Sequence, residues 1–224
     1  MIKLLNLKKY YTIGDNTVKA LDDVSLEIKS GEFISIIGPS GAGKSTLLYQ
    51  LSALDNPTSG RIIFDDVALD ELPPSQLALF RLHNIGYIFQ DYAIIPELSA
   101  LDNVILPILM QGCLRAQAGT LALEALRQVG LENRIDNLPS QLSGGEQQRV
   151  AVARAIVNKP RVIFADEPTA NLDSVKSRQI LDLLIDLNRS GQTIVMVTHE
   201  PEYAGLSKRI IEIKDGKLTS DKAN

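Results

Sequence analysis

The sequence predicts an α/β fold in which a largely parallel sheet carries helices on both faces. Short runs of β-branched residues alternate with segments of helical spacing through much of the chain, which is typical of such sheets. A glycine-rich loop lies between the first buried run and the first helical segment. Hydrophobic residues make up 45% of the 224 residues, which is enough to bury a sizeable core.

The amino-terminal part is predicted to consist of strands, because its apolar residues alternate with polar ones or form short β-branched runs. The predicted strands are 2–7, 24–28, 33–37, 62–64 and 86–89. A Gly-Asp-Asn turn at 14–16 separates the first two strands. The glycine-rich loop follows 33–37, and a helical pattern follows at 45–53. This order of strand, loop and helix is the one that a phosphate-binding unit requires.

The middle of the chain, from about 101 to 157, is predicted to be a helical insertion. Helical spacing occurs at 116–129, with an interruption at Gly119, and at 146–157. Alternation of strands and helices then resumes. The strands predicted there are 162–165, 193–197 and 210–213, with a helix at 174–188 and a turn at 215–216. Residues 220–224 are expected to be frayed.

The composition excludes several classes of protein. A net charge of −4 argues against broad electrostatic affinity for nucleic acid. Cys113 is the only cysteine, so an internal disulfide or a cysteine-based zinc site is excluded. The sequence shows neither a targeting segment nor an apolar stretch long enough to span a bilayer. We therefore expect a protein that is either cytosolic or bound to a membrane only through a partner.

The glycine-rich loop matches the pattern G-x-x-x-x-G-K-[ST]. Its residues are Gly38, Pro39, Ser40, Gly41, Ala42, Gly43, Lys44, Ser45 and Thr46. Glycines let the backbone approach a phosphate closely, so successive N–H groups can bind one anionic oxygen, and the following helix adds its positive dipole end. Lys44 can reach the β- and γ-phosphates, and the Ser45 hydroxyl can hold Mg²⁺. The loop therefore predicts binding of ATP with Mg²⁺.

Two adjacent acids, Asp166 and Glu167, follow the apolar run 162–165. The carboxyl ends of parallel strands lie at the ligand crevice of such a sheet. We expect Asp166 to position Mg²⁺, directly or through water, and Glu167 to polarise the attacking water as a general base. Adjacent residues of a strand point to different sides, which suits two roles. A solvated turn is the alternative, and the phosphate loop favours the functional interpretation.

The most specific feature is the segment 142–149, Leu-Ser-Gly-Gly-Glu-Gln-Gln-Arg. It resembles the signature motif of ATP-binding-cassette (ABC) ATPases, and the resemblance covers essentially the whole chain. It implies one ABC ATPase domain of the P-loop NTPase (RecA-like) class, with a mostly parallel sheet, an antiparallel β subdomain and a helical insertion. Residues 1–90 and 158–224 would then form the nucleotide-binding core, and about 91–157 the helical subdomain.

The resemblance also implies roles for single residues. Tyr11 lies where the family stacks an aromatic ring on adenine, although Tyr10 competes for this role. Gln90 matches the glutamine that contacts Mg²⁺ or water and senses a transmembrane partner. Asp173 matches the aspartate that faces the other subunit. His199 matches the histidine that contacts the γ-phosphate and helps to orient the attacking water.

In the family, the signature motif of one chain covers the nucleotide held by the phosphate loop of a second chain. The residues implied here are Ser143, Gly144, Gly145 and Glu146. The resemblance thus implies a homodimer with two ATP molecules sandwiched between the copies. Glu146 stands where many relatives carry glutamine, and Asn171 begins a segment that more commonly starts with serine and alanine. Neither departure removes a catalytic group.

Three features resemble the ABC ATPases of lipoprotein release, macrolide or peptide export, and cell division: the short chain, the run 141–149 and the segment 94–104. They imply an ATPase subunit on the cytoplasmic face of the cell membrane, whose membrane-embedded partner docks near Gln90. Two alternatives remain: a regulatory or scaffold module of the cell-division or iron–sulfur-assembly type, and a DNA-maintenance ATPase. The latter usually carries a long insertion between Gln90 and Leu142, where this chain has a short one.

Overall fold

The computed structural model describes residues 1–224, apart from the side chain of Ile13. It divides the chain into two compact units, residues 1–79 with 191–224, and residues 80–190. The strands are β1 (Ile2–Ile13), β2 (Asn16–Ile28), β3 (Phe33–Ile37), β4 (Ser59–Phe64), β5 (Val67–Ala68), β6 (Ile85–Ile88), β7 (Val162–Asp166), β8 (Thr193–Val197), β9 (Arg209–Lys214) and β10 (Lys217–Ala223). The helices are α1 (Lys44–Leu51), α2 (Pro74–Asn84), α3 (Ala100–Met110), α4 (Arg115–Gln128), α5 (Gly144–Ile156), α6 (Ser174–Arg189) and α7 (Pro201–Ala204).

The first unit contains an antiparallel sheet in the order β2-β1-β4-β5. Strand β1 continues beyond the predicted end at Leu7, because cross-strand pairs such as Tyr11 with Val18 extend the ladder to the turn. Both of these side chains are exposed, so apolar alternation does not reveal this part of the strand. The sheet is the antiparallel β subdomain that the family resemblance implies.

The same unit contains the buried strand β3, whose predicted limits are confirmed. It pairs in parallel with β8 on one side and with β9 on the other. Ile34, Ser35 and Ile36 are completely buried, as expected for a central parallel strand that is covered on both faces. Helix α1 contributes three further buried leucines, Leu47, Leu48 and Leu51, to the hydrophobic core of this unit.

The expectation of a frayed carboxyl-terminal segment is wrong. Strand β10 pairs with β9 as far as Ala223, which lies opposite Arg209. The Arg209 guanidinium donates to both carboxylate oxygens of Asp221 at 2.7 Å, and these bonds lower the pKa of Asp221. The segment is polar and largely exposed, so its order comes from the ladder and this ion pair. Hydropathy alone does not reveal it.

In the second unit, β6 and β7 pair in parallel from Ile85 opposite Val162 to Ile88 opposite Ala165. Helix α5 packs against β6 at Gly86, where an added Cβ would lie 2.3 Å from the carbonyl oxygen of Ala155. A side chain at position 86 would therefore force α5 away from the strand. Helices α3, α4 and α5 pack on one another, and they supply the predicted helical stretch.

The spacing of apolar residues predicts neither α2 nor α3, although α3 lies almost entirely within the stretch 101–157 that is predicted to be helical. The Ser99 hydroxyl caps α3 by accepting from the Asp102 N–H at 3.0 Å, and the helix continues through Pro107. Its sequence from Val104 to Met110 is a continuous apolar run, which hides the helical period. Helix α4 runs through Gly119 without a break. Within the described residues, all helices are too short or too polar to traverse a lipid bilayer.

Candidate functional site

Residues 38–46 form a loop whose backbone only glycine can follow at two positions. Gly38 has a φ of 151° and Gly43 a φ of 102°, which side-chain-bearing residues rarely adopt. A Cβ on Gly38 would lie 2.1 Å from the carbonyl oxygen of Ile213, and one on Gly43 would lie 2.3 Å from that of Ala20. The spacing of glycines in the sequence thus has a direct steric cause.

Lys44 places its positive charge inside this loop. The side chain is 8% exposed, and its ammonium donates to the carbonyl oxygens of Gly38 and Pro39, each at 2.9 Å. Helix α1 begins at Lys44 behind Gly43, with no side-chain hydrogen bond capping its first turn. An ammonium group and the N–H groups of a helix start around one concavity attract anionic oxygen. The loop therefore fits the phosphate groups of a nucleotide.

The structure brings Tyr11, rather than Tyr10, to this loop. The Tyr11 hydroxyl is hydrogen-bonded to the side chain of Thr46, the last residue of the loop motif. The Tyr10 hydroxyl donates instead to Asp22 at 2.6 Å, and this bond raises the pKa of Tyr10. Tyr11 is therefore the better placed of the two rings for a nucleobase bound beyond the phosphates.

Two further residues that the sequence does not reveal contact Tyr11, one at its ring and one at its hydroxyl. The Lys9 ammonium lies 4.9 Å from the ring centroid, within the range of a cation–π contact. Asp55 accepts from both groups, at 2.8 Å from Lys9 and at 3.0 Å from the Tyr11 hydroxyl. Lys9 stands two residues before Tyr11, so the two-residue period of a strand indicates that they share a face. The contact with Asp55 has no comparable signal in the sequence.

His199 lies at the same edge of the parallel sheet in the first unit. Ile36 of β3 is opposite Val197 of β8, so Gly38 and His199 each follow two residues beyond this pair. The imidazole is half exposed, and its Nε2 lies 3.3 Å from Glu200 Oε1. The parallel register thus positions His199 beside the start of the phosphate loop.

The second unit has an equivalent edge at the ends of β6 and β7. Ile88 is opposite Ala165, so Gln90 and Glu167 each follow two residues beyond this pair. Asp166 is the last residue of β7 and is 7% exposed. The structure therefore brings these three predicted site residues to one sheet edge.

Glu167 does not continue the strand, so the expectation that the two acids alternate along it is wrong. Its φ is 45°, in the left-handed region that costs a residue with a side chain on the order of 1 kcal/mol or more. The turn is held by the Gln148 amide, which donates to the carbonyl oxygen of Pro168 at 2.7 Å. Asp166 and Glu167 thus diverge because the backbone turns between them. Strained residues of this kind are concentrated at functional sites.

Ser143 caps helix α5, in agreement with its predicted place before a helix. Its hydroxyl accepts from the Glu146 N–H at 3.4 Å, and the Glu146 carboxylate accepts from the Ser143 N–H at 2.8 Å. Arg134 donates to the same carboxylate at 3.1 Å. The bonds from Ser143 and the charge of Arg134 lower the pKa of Glu146 to about 2. The Glu146 side chain is therefore an anion that fixes the start of α5.

Gly144 and Gly145 lie where neighbouring side chains approach the start of α5. A Cβ on Gly144 would lie 2.9 Å from the Tyr92 hydroxyl, and one on Gly145 would lie 2.9 Å from Lys176 Cδ. Asp173 caps α6 by accepting from the Lys176 N–H at 2.8 Å and pairs with its ammonium at 2.9 Å. These bonds lower the pKa of Asp173. All three predicted residues lie at helix starts of the second unit.

The oxygen donors predicted for a metal are the Ser45 hydroxyl, the Gln90 amide and the Asp166 carboxylate. These are hard ligands of the kind that Mg²⁺ prefers, so they fit the predicted ion. Ser45 belongs to the first unit, and Gln90 and Asp166 belong to the second. Among the described residues, no group of three or more His, Cys, Asp or Glu side chains is arranged to hold a metal.

Comparison with known proteins identifies relatives over the whole chain. Residues 21–170 match the model of a family described as ABC transporter. The macrolide export ATP-binding/permease protein MacB of Hyphomonas neptunium is 47% identical over 224 residues, which are 100% of this chain and 35% of the relative. The lipoprotein-releasing system ATP-binding protein LolD of Aquifex aeolicus is 47% identical over 201 residues, 90% of either chain. The chain spans only about a third of the length of the MacB proteins that it matches.

Solved structures agree with the fold. A dimeric, post-hydrolysis structure of the ATP-binding cassette MJ0796 bound to ADP and Pi has a TM-score of 0.93 and 42% identity, and the match covers 100% of this chain and 98% of that one. A second dimeric structure of MJ0796, described as a bacterial ABC transporter cassette, has the same TM-score and 43% identity. The predicted α/β class, with its antiparallel subdomain and helical insertion, is confirmed.

Proposed function

Because the chain belongs to the ABC transporter family, we propose that it binds and hydrolyses ATP to drive a membrane transporter of the MacB and LolD type. The observation that carries this proposal is the loop 38–46, with the Lys44 ammonium enclosed by it and the uncapped start of α1 behind it. Residues 1–224 act as one ATPase domain, in which 1–90 and 158–224 form the nucleotide-binding core and about 91–157 the helical subdomain.

The nucleotide is bound by residues of the first unit. Loop 38–46 takes the phosphates, and Tyr11 stacks on the adenine, supported by the hydrogen bonds of its hydroxyl to Thr46 and Asp55. Ser45, Gln90 and Asp166 would hold Mg²⁺, which would supply positive charge against the phosphate oxygens.

Hydrolysis needs a base for the attacking water and positive charge for the transferred phosphoryl group. Glu167 takes the proton of the water as the new P–O bond forms and the bond to ADP breaks. His199 orients the γ-phosphate and the water, and Lys44 stabilises the charge that develops on the phosphoryl oxygens. The left-handed backbone at Glu167 supports this role, because it turns the carboxylate out of the strand.

A second copy completes each site. Residues Ser143 to Glu146 of one copy cover the nucleotide on the other, and Asp173 faces the partner across the seam. The dimeric structures of MJ0796 support this arrangement. Two ATP molecules then hold the copies together, because ATP binds the closed dimer more tightly than the open pair.

Replacing Glu167 with glutamine tests the proposed chemistry. Glu167→Gln keeps the shape of the side chain and removes its basicity, so turnover should fall by about 10²-fold or more. ATP binding and ATP-dependent dimerisation should persist. Phosphate release and size-exclusion chromatography with ATP measure the two properties separately. Hydrolysis at the parent rate would show that Glu167 is not the base.

The membrane subunit docks in a groove near Gln90, on the cytoplasmic face of the membrane. A cavity of about 240 Å³ there is lined mostly by apolar and aromatic residues, together with Arg154 and Asn158. They include Tyr87, Phe89, Ala93 and Pro107. Such a groove suits a short apolar helix of a partner. The ATPase touches the membrane only through this subunit and does not bind nucleic acid. The cargo is a lipoprotein, peptide or drug, the classes that the names of the relatives indicate in part.

Co-purification from detergent-solubilised membranes tests the docking groove. The parent chain should retain a membrane protein with several spanning helices, and Phe89→Asp should lose it, because a charge would be buried against the partner. Val67→Asp, which alters an exposed apolar residue of β5, serves as the matched control and should retain the partner. Equal retention by Phe89→Asp would place the docking surface elsewhere.

A further inference from the structure

The backbone that follows Gln90 adopts a rare conformation. Tyr92 and Ala93 have φ values of 61° and 50°, so two consecutive residues with side chains lie in the left-handed region. Such conformations persist only where the surrounding structure holds them. The four residues from Gln90 to Ala93 are here called the 90–93 turn, and it belongs to the second unit.

Arg154 of α5 holds one end of the 90–93 turn. Its guanidinium donates to the carbonyl oxygen of Ala93 at 2.6 Å and to that of Tyr92 at 3.0 Å, so the two strained residues share one planar donor. Burial of the guanidinium lowers the pKa of Arg154. The sequence carries a signal for this residue, because Arg154 is the one charge within the apolar run 150–157.

Asn171 holds the other end of the 90–93 turn. Its amide group donates to the carbonyl oxygen of Gln90 at 3.1 Å and to Asp91 Oδ1 at 3.2 Å. Asn171 lies in the segment between Glu167 and Asp173, which caps α6. A side-chain amide thus connects the backbone of Gln90 to the segment that follows Glu167.

We propose that Arg154 and Asn171 are positioning residues, which fix the 90–93 turn and thereby set where the Gln90 side chain points. This inference rests on the proposed role of Gln90 as a ligand of Mg²⁺ or water. A shift of the segment 167–173 would move Gln90 through the Asn171 amide, and a shift of α5 would move it through Arg154.

Hydrogen–deuterium exchange without nucleotide tests the contact directly. The Tyr92 N–H donates to the Phe89 carbonyl oxygen at 3.3 Å, so its exchange reports opening of the turn. Asn171→Ala should raise exchange in the 90–93 turn several-fold. Asn171→Asp should raise it further, because an acceptor-only carboxylate would face Asp91. Unchanged exchange in both variants would overturn the inference, whatever the activity.

Asn84→Ala is the matched control. Its amide also donates to a backbone carbonyl, that of Phe80 at 2.9 Å, in the same unit and outside the 90–93 turn. This variant should leave exchange in the turn and the turnover rate at parent values. If exchange in the turn rose equally in Asn84→Ala, the effect of Asn171→Ala would be a general loosening of the second unit. That result would overturn the inference.

A double-mutant cycle then connects the turn to Gln90. Asn171→Ala should lower kcat roughly tenfold, as small misplacements of catalytic groups do, while KM for ATP changes less than twofold. In the Gln90→Ala background the same change should have almost no further effect on kcat, since no side chain is left to position. Additive losses would overturn the inference. Parent turnover in Gln90→Ala alone would instead refute the proposed role of Gln90, and the exchange result would still decide the inference.

Discussion

At the residue scale, Gly144 shows why a glycine follows the Ser143 cap. Its φ is not positive, so the backbone at the first position of α5 would accept alanine, which forms helices better than glycine. The constraint is the hydroxyl of Tyr92, 2.9 Å from the place of a Cβ, with Leu172 Cδ2 at 3.6 Å. The glycine therefore makes room for the 90–93 turn, which is distant in sequence.

This contact predicts a suppressor pair. Gly144→Ala should destabilise the protein by roughly 1–2 kcal/mol through overpacking, and Tyr92→Phe should restore much of the loss by removing the obstructing oxygen. Thermal unfolding of the parent, both single variants and the double variant measures this coupling. If the double variant is no more stable than Gly144→Ala alone, the Tyr92 hydroxyl is not the obstacle.

Contacts between residues far apart in the chain are the part of the site that the sequence does not predict. The phosphate loop, Asp166 and the Ser143 cap are predictable, because their local order is itself the signal. The contacts of Asp55 with Tyr11, of Arg154 with Ala93 and of Asn171 with Gln90 join residues far apart in the chain. Only the fold brings these pairs together.

At the scale of elements, the start of α5 depends on the negative charge of the Glu146 side chain. The pKa of Glu146 is about 2, below the usual value near 4.3. The folded state thus favours the carboxylate, which stabilises the protein above the usual pKa and ceases to do so as pH falls toward 2. The Glu146 side chain is 20% exposed, so solvent screens part of this stabilisation.

Comparison with Glu146→Gln isolates the effect. Between pH 6 and pH 3, the parent should lose about 1–2 kcal/mol more of its unfolding free energy than the variant does. Urea unfolding at several pH values measures both. Parallel pH profiles for the two proteins would show that the Ser143 and Arg134 contacts do not favour the carboxylate in solution.

The elements differ in how well the sequence predicts them. Strands β3 and β8 have their predicted limits, because a fully buried β-branched run is distinct from its surroundings. Helix α3 is apolar from Val104 to Met110, and β10 is polar and mostly exposed, so neither shows a clear period. Contacts that only the structure shows explain why these elements are ordered: the Ser99 cap for α3, and the ion pair of Arg209 with Asp221 for β10.

At the scale of the whole molecule, the proposed sites are shared between two copies. The phosphate loop and the 143–146 segment belong to different compact units of one chain. A change at Ser143 should therefore prevent dimerisation without preventing a single copy from binding ATP.

Ser143→Arg in the Glu167→Gln background tests this separation. The bulky cation should abolish the ATP-dependent dimer, while fluorescent-nucleotide affinity stays within about twofold. Ser99→Arg removes the cap of another helix in the same unit and serves as the control that keeps the dimer. A stable dimer from the Ser143 variant would mean that the signature segment lies outside the seam.

The pairing of β3 also bears on how the molecule is made. Its partners β8 and β9 are more than 150 residues later in the chain, whereas residues 80–190 form a unit that is continuous in sequence. During synthesis at about 5–20 residues per second, β3 remains unpaired until β8 and β9 have been made. Residues 80–190 emerge and can fold in this interval. An apolar strand exposed for this interval is a natural substrate for the chaperones that meet nascent chains.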